Sequence, residues 1–436
     1  MDPNRDQIDR ENVSKRLRVL LVPFGSHGDV HPLLGLGGVL RSRGHRVVVL
    51  VNEHFGPLVR GLQFEVEPMG EAERFEEALR DPDLWHPRRS FGVIARRLVE
   101  HARLALPKLE AWNVPGETVA VGGSLALAVR LASETLGMPG ATVHLQPAVL
   151  HSQYETPVYP DFETPRWWPR WFKRVFFDRL FAGIVEPQIA PGFNAFRAEL
   201  GLAPVRDVMR RYLHSPELVL GLFPAWYAPP QPDWPEQTRL CGFPLYDERD
   251  ATPMPADLSA FLDAGPPPIA FTPGTANLHG RAFFEAAVAA CRRLGRRGLL
   301  LTRHAEQIPP DLPEGVRHVA YAPFGLLLPR VAALAHHGGI GTASQAMAAA
   351  IPQLVMPLGH DQFDNAARMR RLGVARSLAP AKFRGPAVAK SLASLIDSPE
   401  VAASCRAVAA RFADQPDPLD TAADAIEALA TARERG

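Results

Sequence analysis

His336-His337-Gly338-Gly339-Ile340-Gly341-Thr342 and, one apolar run later, Pro357-Leu358-Gly359-His360-Asp361-Gln362-Phe363-Asp364-Asn365 decide how this chain folds. The first stretch ends an apolar run from Val331 to His336, the second one from Gln353 to Pro357, and each leads into a helical pattern. Strand, turn and helix repeated in succession predict consecutive β-α units of a parallel sheet, whose loops leave one common edge. Free amide groups at a helix start favour an anion, and glycines let it approach the backbone. Asp361 beside Gln362 offers a carboxylate and an amide, which suit hydroxyls that donate and accept together. Two such loops side by side predict a site for a diphosphate joined to a sugar.

The same order extends outward. Pro268 to Thr272 reads as a strand ending in Pro273-Gly274-Thr275-Ala276-Asn277, with a helix from about Ala282. Gly298 to Thr302 and Val316 to Ala320 are further strands, and the alanine-rich tail from about Val401 is helical. In the first half, Leu17 to Val22 leads into Pro23-Phe24-Gly25-Ser26-His27-Gly28-Asp29. Pro32 fits the first turn of the next helix, Leu33, Leu36, Val39 and Leu40 share its face, and Gly44 closes it. Strands follow at Arg46 to Val51, Val119 to Ser124 and Gly140 to His144. The proline-rich zone from Phe223 to Pro244 reads as the connection between two domains. The expected division is a flexible tail over 1–16, a first α/β domain over 17–235, a second over 236–415 and a terminal helix over 416–436.

Composition narrows the function. The 436 residues are 46% hydrophobic, enough for about two or three domains. With 48 basic and 47 acidic residues there is no global field to attract nucleic acid. Cys241, Cys291 and Cys405 are odd in number and widely spaced, which argues against a disulfide framework and fits a reducing compartment. The polar first sixteen residues are not a secretory signal, and no stretch approaches the roughly 20 apolar residues of a membrane span. The expectation is a cytoplasmic protein, at most peripheral to the inner face of the membrane.

Each candidate residue has a bland alternative. His337 adds a donor to the anion loop and Thr342 a hydroxyl, unless the segment is an ordinary turn with a capping threonine. The bland alternative for the second loop is helix capping by Asp361 or Asp364, and Asn365 is expected to support the turn rather than touch ligand. Gly25 to Asp29 lacks the G-x-G-x-x-G spacing, which argues against hydride transfer. It places a carboxylate, Asp29, at the carboxyl end of the first strand, where it can take a proton from an acceptor hydroxyl across a cleft. His27 is the rival base and His31 a weaker one, while capping is the structural alternative for Asp29. Arg166-Trp167-Trp168-Pro169-Arg170-Trp171-Phe172-Lys173-Arg174 reads mainly as a helix with a core stripe, and secondarily as a contact for lipid or a greasy acceptor. Asp81-Pro82-Asp83 reads as a turn, and with no other ligand spacing no catalytic metal is expected.

The residues from His337 to Asn365, with Gly25-Ser26-x-Gly28-Asp29-Val30, make the chain similar to the bacterial family 1 glycosyltransferases of the GT-B fold. The resemblance runs from about Leu17 to the C-terminal helix. Asp83-Leu84-Trp85, Ser90-Phe91-Gly92-Val93, Leu222 to Pro230, Asp233-Trp234-Pro235 and Gly242-Phe243-Pro244-Leu245 most resemble the rhamnosyltransferase B subunit of rhamnolipid synthesis. The resemblance implies two doubly wound Rossmann-like domains facing a central cleft, the acceptor domain first and the donor domain second. It implies inverting transfer of a hexose, rhamnose or glucose, from a dTDP- or UDP-linked donor to a hydroxyl of a small hydrophobic or lipid-like acceptor. No cofactor is implied beyond that co-substrate. The implied donor site comprises Thr275, Tyr321, His337, Gly339, Gly341, Thr342, Gln345, Asp361 and Gln362, with Asp29 as base and His27 accessory. Tyr321 stands where plant relatives carry a base-stacking tryptophan. Gln345 replaces the glutamate that grips both ribose hydroxyls of UDP, which leans toward dTDP. Two other readings remain: an epimerase of the same fold acting on a UDP-sugar, and a non-catalytic helper protein.

Overall fold

The computed structural model describes residues 16–85, 89–160, 162–247, 253–275 and 277–434, so nearly all of the expected N-terminal tail lies outside the described residues. Two fully parallel sheets organise the chain. The first contains β1 (Arg18–Val22), β2 (Arg46–Val51), β3 (Glu65–Pro68), β4 (Thr118–Gly123), β5 (Gly140–His144), β6 (Leu218–Gly221) and β7 (Thr238–Leu240), in the order β3-β2-β1-β4-β5-β6-β7. The second contains β8 (Ile269–Thr272), β9 (Gly298–Leu301), β10 (Val316–Val319), β11 (Ala333–His336), β12 (Gln353–Val355) and β13 (Ala375–Ser377), in the order β10-β9-β8-β11-β12-β13. Central strands are apolar along their whole length because helices cover both faces. Leu21 pairs with Val121 and Ala335 with Phe271, and all four are fully buried.

The helices that matter here are α1 (His27–Ser42), α2 (Ser90–Trp112), α3 (Arg170–Leu180), α4 (Arg281–Leu294), α5 (Ile340–Ala348), α6 (Gln362–Arg371), α7 (Gly385–Ile396) and α8 (Pro418–Glu434). Helix α1 buries Val30, Leu33, Leu36 and Leu40 against the first sheet. At roughly 1.5–3 kcal/mol for each buried large side chain, that stripe outweighs the modest helix propensity of its glycines. Helices α4 and α7 pack on one face of the second sheet. In each sheet the strand order reverses beside the first strand, at β1/β4 and β8/β11, and such switch points open a crevice at the carboxyl ends of the strands.

Four strands escaped the sequence reading: β3, β6, β7 and β13. Strand β7 also lies beyond the expected domain boundary at 235, within the first sheet. The segment around Phe223 to Pro230 is no loose connection. Phe223, Tyr227 and Ala228 are buried, and they join a continuous apolar seam that runs from Val49 to Met347, Met369 and Ile426. Helix α8 returns to the first lobe, where Arg43 meets Asp420, Asp424 and Glu427 at 2.7, 2.6 and 3.0 Å. The aromatic-basic segment supplies little core: Phe177, just beyond it, is buried, whereas Trp167 in the turn before α3 and Trp171 on its outer face stand exposed. Asp81 accepts from the Asp83 amide at 2.9 Å and so leads into a single 3-10 turn, Pro82–Trp85. Among the described residues no helix is long and apolar enough to cross a membrane.

Candidate active site

Strand β1 delivers Gly25 and Ser26 to the start of α1, and the first turn folds back on itself. The Asp29 carboxylate accepts from the Ser26 amide at 2.8 Å and from its hydroxyl at 3.2 Å, while the Ser26 hydroxyl accepts from the Gly28 amide at 3.3 Å. Both bonds to the carboxylate engage one oxygen, Oδ2; no protein donor meets Oδ1 among the described residues. Gly25 has φ +127°, and a Cβ there would lie 2.2 Å from Asp29 Oδ2, so only glycine leaves room for this arrangement. The capping alternative is therefore real geometry, yet it leaves half of the carboxylate for another task. Burial raises the Asp29 carboxyl to about 6, against the lowering effect of the Ser26 hydrogen bonds. His27 packs edge-on against Phe55 at 5.0 Å, with His31 and His54 also in contact distance.

The paired histidines divide their roles. His336 is fully buried; its Nε2 meets Gln353 Oε1 at 2.9 Å and its Nδ1 accepts from the Gly338 amide at 3.1 Å. It therefore fixes the turn from within, and burial pushes its pKa down to about 3. His337 lies against the backbone of two loops: a Cβ at Gly274 would come within 2.6 Å of its ring, and one at Gly339 within 2.6 Å of its Nε2. Its Nδ1 is buried without a protein partner. Burial lowers the His337 pKa to about 4, so the imidazole is neutral near pH 7 and offers a hydrogen bond rather than a charge. Gly339 thus makes room for the histidine, whereas a Cβ on Gly341 would meet only open space.

Helix α5 begins at Ile340, earlier than the start expected near Thr342. Its N-cap is Gly339, with no side-chain cap, so Thr342 lies inside the first turn and does not cap it. The sequence reading missed this because a glycine N-cap carries no side-chain signal.

Asp361 occupies the N-cap of α6 without capping it. Its Oδ2 instead accepts from Asn365 Nδ2 at 2.6 Å. Burial raises the Asp361 carboxyl to about 7, with the Asn365 bond opposing and the nearby charge of Asp29 adding to the rise. Asp29 of the first lobe and Asp361 of the second thus lie near enough for their charges to interact. Gln362 turns inward: its Oε1 accepts from the amides of Leu358 and Gly359 at 2.7 and 3.2 Å, which leaves its Nε2 free of protein acceptors among the described residues. Asn365 reaches further than expected. It donates to Gly338 O at 3.0 Å as well as to Asp361, and accepts from Tyr227 OH at 3.2 Å. One buried amide thus joins both loops to each other and to the opposite lobe. Asp364 adds a second link by accepting from the Val158 amide at 3.1 Å.

The remaining positions ring the same edge. Thr275 is exposed in the turn after β8, next to the Gly274 that backs His337. Tyr321 follows β10 and carries the Arg303 guanidinium 5.1 Å from its ring centre. Gln345 lies one turn into α5, its Oε1 buried without a protein partner, and the short helix Phe324–Leu327 after Tyr321 packs against α5. Arg303 and Tyr227 were not singled out as site residues in the sequence: Arg303 lies in the glycine-free loop after β9, and Tyr227 in the proline-rich stretch.

The C-terminal part of the chain, residues 299–429, matches the family model described as the Erythromycin biosynthesis protein CIII-like, C-terminal domain. Over 410 residues the chain is 30% identical to the O-mycaminosyltylonolide 6-deoxyallosyltransferase of Streptomyces fradiae, covering 89% of this chain and 92% of that one. Among solved structures, the glycotransferase of kitacinnamycin superposes with a TM-score of 0.74 at 21% identity, over 95% of this chain and 99% of that one. The spinosyn rhamnosyltransferase SpnG complexed with thymidine diphosphate superposes with a TM-score of 0.66 at 19% identity, over 93% and 98%.

Proposed function

The chain belongs to the family 1 glycosyltransferases of the GT-B fold, and on that premise we propose that it transfers a hexose, with inversion and without a metal, from a nucleotide-diphosphate sugar to a hydroxyl of a small hydrophobic or lipid-like acceptor. The observation that carries this reading is the placement of Asp29, from the first lobe, where its charge acts on Asp361 of the second. A donor sugar held by Asp361 then lies opposite a carboxylate with an elevated pKa, which is the requirement for a general base.

In this mechanism Asp29 takes the acceptor hydroxyl proton as that oxygen attacks the anomeric carbon. The bond from that carbon to the diphosphate breaks on the opposite side, which inverts the centre. The leaving diphosphate is held by the uncapped amides at the start of α5, by His337 and by the hydroxyls of Thr342 and Thr275. These groups are aimed at charge that develops during the reaction, and they supply the stabilisation a metal would otherwise give. Asp361 and the Gln362 Nε2 orient the sugar. Tyr321 stacks on the base, and the unpartnered Gln345 Oε1 accepts from the ribose. A single amide acceptor suits dTDP, whose sugar has one hydroxyl fewer than that of UDP. One structural neighbour, the spinosyn rhamnosyltransferase SpnG, was solved with thymidine diphosphate bound, in keeping with this reading.

Mass spectrometry on a panel of donors and acceptors tests the proposal. Transfer adds the mass of a hexose or deoxyhexose to the acceptor. Because epimers share one mass, the donor is also resolved by chromatography: an isomerised donor with no acceptor product would favour the epimerase reading, and no change in either would favour the helper protein.

A further inference from the structure

We propose that the outer face of α3 and its flanks form a docking surface for an anionic lipid bilayer. Trp167, Trp171, Val175 and Ile184 are 80, 68, 42 and 56% exposed, a concentration of large apolar side chains that core packing does not explain. The helix already meets its core requirement through Phe177, which is buried against the rings of His151 and Tyr159 at 4.6 and 5.8 Å. Trp171 and Val175 are one turn apart and share the outward face. Around them stand Arg166, Arg170, Arg174 and Arg179, all exposed.

Of the nearby acids, Asp178 pairs closely with Arg210 at 2.7 Å and more loosely with Arg174 at 3.8 Å, and Glu163 pairs with Arg370 at 3.6 Å, which leaves Arg166, Arg170 and Arg179 without an acidic partner among these pairs. Exposed tryptophans amid guanidinium groups match a bilayer interface, where the indoles enter the headgroup layer and the arginines meet anionic phosphates. A second copy of the chain is a poorer occupant, because a symmetric contact would set arginine against arginine. The same helix backs the wall of residues 151–160, which reaches α6 through the bond from Val158 to Asp364. Docking there would bring the crevice beside the membrane surface.

Co-sedimentation of the full chain with vesicles tests this directly and needs neither donor nor acceptor, so its outcome is separate from that of the transfer reading. We expect binding to phosphatidylcholine vesicles that contain phosphatidylglycerol and little to phosphatidylcholine alone. The expected binding weakens with salt and falls roughly tenfold or more in the double variant Trp167→Ser/Trp171→Ser. Both positions are exposed, and an unchanged melting temperature verifies that the variant is folded. Three results would overturn the proposal: no binding to either vesicle, equal binding by the variant, or a dimer in light scattering that the double variant abolishes.

Discussion

Asp29 keeps its proton to about pH 6 because the fold encloses it, while an unfolded aspartate releases it near 4. Between those values the folded state binds more protons than the unfolded one, so this residue's contribution to stability declines as pH rises through that window. Asp29→Asn removes that cost while keeping an oxygen for the Ser26 amide. The variant is expected to melt higher than the parent at pH 8, by up to about 2–3 kcal/mol, and equally at pH 4, in thermal scans at both values. Turnover in the same variant is expected to fall by about 10²- to 10⁴-fold with donor affinity unchanged in calorimetry; retained turnover would remove Asp29 from the base role. Asp361 titrates beside it, so the free enzyme's acid limb belongs to the pair. For the parent, kcat/KM is expected to drop as pH falls through about 7 to 6, the range of the two raised carboxyls. At His337 the unpartnered Nδ1 makes the expectation simple. His337→Ala loses one ligand hydrogen bond, about 1–3 kcal/mol of donor binding, which calorimetry with the nucleoside diphosphate measures.

At the scale of elements, the two loops after β11 and β12 act as one unit because Asn365 bonds to both. Asn365→Ala would leave Gly338 O and Asp361 Oδ2 without their donor, and the donor KM is expected to rise about 5- to 150-fold, from about 1–3 kcal/mol of lost loop order. Tyr227→Phe removes only the hydroxyl that orients the amide from the other lobe. Steady-state kinetics should show a donor KM raised roughly fivefold with kcat little changed, in keeping with about 1 kcal/mol for one neutral hydrogen bond. An unaltered KM in both variants would reduce the network to simple packing. This junction also marks where the sequence stopped being legible. The turns at Gly25, His337 and Asp361 were readable because glycine and carboxylates at strand ends have local causes. Strands β1, β2 and β8 were readable as largely apolar runs. Strand β3 does alternate glutamate with valine, but over only four residues ending in proline, and β7 and β13 are three-residue edge strands carrying arginine, so the pattern in each is too short to stand out. Tyr227 was hidden in a proline-rich stretch that resembles a linker, and its partner lies 138 positions away in the chain. The split between His336 and His337 depends on Gln353, one strand over, and a single sequence does not contain that pairing.

At the scale of the whole molecule, the chain crosses from the second lobe back to the first through α8, and two kinds of contact hold it there. Arg43 forms three ion pairs with the helix, but Asp420 and Asp424 are 56 and 71% exposed, and such surface pairs contribute about 0–1 kcal/mol each. His45 adds a buried link, bonding to Glu427 at 2.8 Å and accepting from the Leu17 amide at 3.2 Å beside the start of β1. Beneath them Ala422, Ala423 and Ile426 are fully buried in the apolar seam shared by the lobes. Removing a buried isoleucine side chain costs about 2–5 kcal/mol, more than the exposed pairs together can be expected to supply. The burial therefore decides. In urea unfolding, Arg43→Ala is expected to lower stability by about 1 kcal/mol or less, and Ile426→Ala by about 2–5 kcal/mol. If Arg43→Ala proves the more damaging, the helix is held chiefly by charge. Added salt discriminates further: it should weaken the effect of Arg43→Ala by screening the pairs in the parent, and leave that of Ile426→Ala nearly unchanged.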